Sequence, residues 1–134
     1  MTQRTWLLMW SVLLVGWYGL TACSAAASPL VVGPEDHGQT VTLQVGQTLE
    51  VRLPANPTTG YEWQVREVDD AVLQTLGEPQ FVAEDSERLG AGGVQVWRFQ
   101  AQAVGTTTLD MVYVRPWETD TPPAERFYLT VTVR

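Results

Sequence analysis

The sequence predicts an all-β domain, an immunoglobulin-like antiparallel β-sandwich of about seven strands. Three observations predict it. Apolar and polar residues alternate at a period of two along most of the chain after Leu30, turn-forming Gly, Pro, Asn and Asp punctuate those runs, and helical periodicity is nearly absent. At 134 residues the chain has the length of a single domain.

Each strand has its own signature. Val41, Leu43 and Val45 alternate with Thr40, Thr42 and Gln44, which gives Gln39–Val45 one buried face. Gly46-Gln47 turns the chain, and Leu49, Val51 and Leu53 repeat the pattern in Thr48–Leu53. Tyr61, Trp63 and Val65 do the same in Tyr61–Val68. Gln80–Glu84 is a shorter strand with weaker periodicity, carried by Phe81, Val82 and Ala83. Val94–Gln102 sets Trp97, Phe99 and Ala101 on one side, with Trp63, Trp97 and Phe99 read as core. Leu109, Met111 and Tyr113 mark Thr106–Tyr113, and Phe127, Leu129, Val131 and Val133 mark Arg126–Val133. The one helical signal, Asp69–Leu76, suits a single turn inside a connection that Gly77 and Pro79 end.

Parity then places the loops. If every connection between these strands reverses the chain, the second, fourth and sixth emerge at one pole of the sandwich. Those connections contain Asn56-Pro57-Thr58-Thr59-Gly60, Gly90-Ala91-Gly92-Gly93 and Arg115-Pro116-Trp117. In the first, Asn56 can close an Asx-turn, Pro57 fixes its own φ, Thr58 and Thr59 are stiff at χ1, and Gly60 allows a positive φ. The second has no side chain larger than a methyl, so another backbone can approach it closely. It lacks the Lys-Ser/Thr ending of a phosphate-binding loop. The third joins a cation, a rigid bend and a large aromatic surface, the residue types enriched at binding hot spots. Taken singly, each also suits an ordinary role: a well-made turn, a flexible connection, and a Trp117 folded back on its own sheet beneath a stacked Arg115.

Composition removes several classes of function. The net charge of -7 and the lack of any lysine leave no basic stripe for nucleic acid. Cys23 is the only cysteine, so no intramolecular disulfide exists and the fold is held by its core. His37 is the only histidine and sits in a polar turn, so no metal site and no serine–histidine–acid grouping is indicated. The sequence calls for no cofactor, and catalysis is not expected.

The N-terminus reads as a targeting segment. Arg4 precedes an apolar stretch from Trp6 to Leu20, and Leu20-Thr21-Ala22-Cys23 resembles a bacterial lipobox. Residues 1–22 are expected to be a lipoprotein signal peptide and 23–29 a tether acylated at Cys23, with 30–134 the folded domain. The expected location is the cell envelope, on a lipid bilayer. An uncleaved anchor and ordinary secretion remain the alternatives.

The three loop motifs, in this order and on this strand framework, resemble the chagasin family of inhibitors of papain-type cysteine peptidases. The likeness runs over most of Thr40 to Arg134, with Tyr61 and Trp63 following the first motif. It implies a monomeric, reversible, non-covalent and competitive inhibitor whose three loops enter the active-site cleft. Thr58 and Thr59 would lie over the catalytic cysteine and histidine, Gly90 to Gly93 along the unprimed side, and Arg115, Pro116 and Trp117 on the primed side. Two other functions use the same sandwich: an envelope-anchored adhesion or ligand-binding module, and a structural envelope lipoprotein.

Overall fold

The computed structural model describes residues 27–134. The expected signal peptide and Cys23 lie outside the described residues. The domain has nine strands: β1 (Leu30–Val32), β2 (Thr40–Leu43), β3 (Thr48–Ala55), β4 (Glu62–Glu67), β5 (Leu73–Thr75), β6 (Gln80–Ala83), β7 (Gly93–Ala101), β8 (Gly105–Val114) and β9 (Glu125–Val133). One sheet has the order β1-β3-β7-β5 with β6 also on β7, and the other runs β2-β9-β8-β4. All seven predicted strands are present, and β1 and β5 are additional.

The sheets close on the alternating residues. Leu49, Val51, Leu53 and Phe99 of one sheet meet Leu43, Leu109, Met111, Phe127, Leu129, Val131 and Val133 of the other, each no more than 1–2% exposed. Burial of a large apolar side chain contributes about 1.5–3 kcal/mol, and no cysteine lies in the described residues, so this layer holds the fold. Trp63 and Phe99 are in the core as expected, and Trp97 packs partly buried against it. Val45 departs from the prediction. It is 52% exposed, because β2 ends at Leu43 and the chain is already turning toward Gly46.

Two edge pairs are parallel where antiparallel pairing was expected: β1 on β3 and β2 on β9. A 3-10 turn at Pro34–Asp36 carries the chain from one sheet to the other. Each N-terminal strand therefore lies beside a strand it does not adjoin in sequence, and no hairpin forces antiparallel pairing.

The loop parity survives both extra strands. β1 precedes the first predicted strand and shifts nothing. β5 and β6 both run antiparallel to β7, at Phe99–Ala101 and Gly93–Val96 respectively, so they are two pieces of one interrupted edge with no reversal between them. Leu76 N–H donates to the Arg98 carbonyl at 2.7 Å and keeps the break attached. The expected turn of Asp69–Leu76 is real over Asp69–Val72, where Leu73 N–H donates to Asp69 O at 2.9 Å; beyond it the chain is strand. The ends of the domain meet at the opposite pole. There Gln47 Nε2 donates to Ser28 O at 2.9 Å, and Arg134 N–H donates to Leu43 O at 2.9 Å.

Candidate functional site

The pole between β3 and β4, β6 and β7, and β8 and β9 carries all three motifs. Pro57–Thr59 forms a 3-10 turn capped by Asn56, whose Oδ1 accepts from Thr58 N–H at 3.2 Å. Pro57 sits where a helical turn needs no N–H donor, and Gly60 ends the turn in the left-handed region at φ 80°. Both threonine protons are used inside the loop: Thr58 Oγ1 donates to Asn56 Oδ1 and Thr59 Oγ1 to Asn56 O, each at 2.6 Å. A hydroxyl has one proton, so what Thr58 and Thr59 still offer is their lone pairs.

Arg115 and Trp117 fold onto this turn. Arg115 Nε donates to Thr59 O at 3.0 Å, its guanidinium lies 4.4 Å from the centre of the Tyr61 ring, and Nη1 meets Glu118 at 3.2 Å. The stacking partner of Arg115 is thus Tyr61, across the strand pair at the mouth of β4, and not Trp117 as in the ordinary alternative for this loop. Trp117 covers Gly60 so closely that a Cβ there would overlap the indole, yet the residue stays 67% exposed. A cavity of about 410 Å³ opens beside it, lined by Pro57, Gly60, Tyr61, Phe81, Pro116 and Trp117.

The glycine loop joins the other two through one side-chain bond, Asn56 Nδ2 to Gly90 O at 3.2 Å. Gly90 takes φ 76°, and a Cβ on Gly92 would meet only Ala55 O, at an ordinary 3.5 Å. Gly93 differs from its neighbours. It is buried at the start of β7 against Val82 and Ala83, where any Cβ would collide with backbone, so it serves the sheet and is not presented at the tip.

Residues outside the motifs hold this pole shut. Trp63 Nε1 donates to Pro54 O at 2.9 Å, and Asn56 N–H donates to Tyr113 Oη at 2.9 Å. Gln95 Oε1 accepts Trp63 N–H at 2.9 Å, which covers part of the free edge of β4. In the sequence Tyr61, Trp63 and Tyr113 are inward strand positions, the first two also trailing the first motif, and no motif marks this bracing role. A tyrosine facing inward at the loop end of a strand needs a partner for its hydroxyl, and that was the available signal. Among the described residues no group of His, Cys, Asp or Glu is arranged to hold a metal ion.

Comparison with known proteins decides the family. The model described as Chagasin family peptidase inhibitor I42 matches residues 42–131. The chain belongs to the chagasin family. Chagasin of Trypanosoma cruzi is 36% identical over 95 residues, covering 68% of this chain and 86% of that protein. Amoebiasin-2 of Entamoeba histolytica is 28% identical over 115 residues, covering 86% and 93%. The crystal structure of the cysteine protease inhibitor EhICP2 from Entamoeba histolytica matches with a TM-score of 0.71 at 25% identity, over 80% of this chain and 96% of that one. The three motifs therefore pointed to the right family and fold, and membership places the chain among cysteine peptidase inhibitors, not enzymes.

Proposed function

We propose that this chagasin-family chain is a reversible, non-covalent, competitive inhibitor of papain-like cysteine peptidases, acting as a monomer that inserts three loops into the active-site cleft. The observation that carries this reading is the convergence of Asn56–Gly60, Gly90–Gly92 and Arg115–Trp117 at one pole, with direct bonds between them. The central turn would sit over the catalytic cysteine and histidine. There Thr58 and Thr59, their protons already committed, would accept hydrogen bonds from donors on the enzyme. Gly90 to Gly92 would pair by backbone along the unprimed side as a peptide strand does, and Trp117 would pack on the primed side.

The turn would also resist cleavage. Asn56 O accepts Thr59 N–H at 3.1 Å and Pro57 O accepts Gly60 N–H at 3.0 Å, so the segment is folded and no extended scissile bond is offered. A rigid ligand loses less entropy on binding, which favours affinity from a small contact. We further propose that Cys23 is acylated and holds the domain on the cell envelope.

Titration of papain with the purified domain tests the inhibitory reading. Stoichiometric loss of activity, relieved by excess substrate and with the inhibitor recovered intact, is the expected result. An unaffected enzyme at micromolar inhibitor refutes it and leaves the adhesion module.

A further inference from the structure

We propose that Tyr113 is a positioning residue that sets the affinity of the peptidase-binding pole through a single hydrogen bond to Asn56; this deepens, and rests on, the inhibitory reading. Tyr113 lies on β8, in the sheet opposite the one that launches the central turn from the end of β3. Its ring stacks on Tyr61 at 5.2 Å and packs tilted against Trp63 at 5.1 Å between centroids, and the Arg115 guanidinium lies over Tyr61 at 4.4 Å. This column fixes the ring, so the hydroxyl is held in place as an acceptor for Asn56 N–H across the mouth of the sandwich.

Asn56 is the hub of the pole. Its Oδ1 takes Thr58 N–H and Thr58 Oγ1, its carbonyl takes Thr59 N–H and Thr59 Oγ1, and its Nδ2 reaches Gly90 O. Thr59 O in turn receives Arg115. Asn56 therefore links all three loops, and the Tyr113 hydroxyl holds its backbone N–H to the opposite sheet. Trp63 Nε1 on Pro54 O pins the strand two residues earlier, which leaves the Tyr113 bond as the last restraint before the turn begins. Without that hydroxyl, Asn56 N–H can turn to water at little cost in stability. The whole set of loop bonds is then free to shift as a body, and the ordering must be supplied on binding.

The test is Tyr113→Phe, which keeps the ring in its column and removes only the acceptor. Val133→Ala, at the far pole, is the control for stability loss alone. Tyr113→Phe is expected to raise the inhibition constant of the purified domain against papain about tenfold, chiefly through faster dissociation, with a melting temperature close to wild type. Amide exchange at Asn56, Thr58 and Thr59 in the free protein is expected to accelerate while that of Val131 does not. Val133→Ala is expected to lower the melting temperature and leave the inhibition constant unchanged. An inhibition constant equal to wild type for Tyr113→Phe overturns the proposal, and so does unchanged exchange at Asn56. Should the wild-type domain fail to inhibit, the inhibitory reading falls and takes the affinity claim with it, while the exchange data still decide whether the hydroxyl holds the loop.

Discussion

The central turn and the tryptophan loop form one body, whereas the glycine loop stands beside them. The first two share the Arg115 bond to Thr59, the guanidinium over Tyr61 and the indole laid on Gly60. The glycine loop is reached by Asn56 Nδ2 alone, and its other bonds are internal and exposed, such as Ala91 N–H to Arg88 O at 3.3 Å and Glu87 N–H to Asp85 Oδ1 at 3.0 Å. Side chains that interlock restrict a loop; a stretch of bare backbone cannot interlock. The same absence of side chains that would admit an enzyme strand thus leaves the glycine loop with few restraints, and more of its ordering falls to the complex.

Substitutions can break this contrast or sharpen it. Gly60→Ala should have the largest effect, since the new methyl overlaps the Trp117 indole and sits at φ 80°. We expect a loss of about 3 kcal/mol of affinity for papain, because one methyl disturbs two loops. An inhibition constant near wild type would show that the indole moves aside freely. Trp117→Ala should cost ~2 kcal/mol, and its melting curve should barely change because the ring is mostly exposed. Gly92→Val should cost about 1 kcal/mol by hindering close backbone approach, with the fold kept, since only Ala55 O is nearby. Unchanged potency in that variant would remove the glycine loop from the contact.

A double-mutant cycle addresses the contrast itself. Arg115→Ala and Tyr61→Leu should couple by roughly 0.5–1 kcal/mol in binding, whereas Arg115→Ala and Gly92→Val should be additive within about 0.5 kcal/mol. Coupling of equal size in both pairs would mean that the three loops are a single body after all.

The smallest expected effect lies away from the pole and serves as a reference. Burial pushes the Glu50 carboxyl up, but the hydrogen bonds and charges of Arg52 and Arg98 outweigh that and hold it below its ordinary 4.5. A lowered folded value means that this contribution to stability is complete above 4.5 and is lost as pH falls through the folded value. Thermal melts should therefore show an acid-side drop that Glu50→Gln reduces. A Glu50→Gln melt with the same acid slope as wild type would show that other carboxylates carry it.

Much of this architecture was legible because burial on one face writes a period of two. Leu49, Val51 and Leu53, Leu109 and Met111, and Phe127 through Val133 all lie where the alternation put them. Parity placed the loops because the break between β5 and β6 does not reverse the chain. β1 and β5, at three residues each, are too short to show a period, and they exist because a neighbouring strand had an open edge. At the candidate site, the Asx cap of Asn56 and the positive φ of Gly60 followed from residue type. The Arg115–Tyr61 pair and the Tyr113 anchor did not, since each depends on which side chain crosses from an adjacent strand or the opposite sheet. The burial of Gly93 depends on the backbone of β6 beside it, and the committed threonine protons on the rotamers the closed turn selects.

The attachment of Ser28 to Gln47 has a practical consequence. β3 spans eight residues from that point to the central turn, roughly 25 Å of strand. Any leash joined upstream of Ser28, whether an acyl chain, a bead or a fused partner, departs from the base and leaves the tip pointing outward. Immobilised by that end, the molecule should capture a protease from solution as readily as it does when untethered.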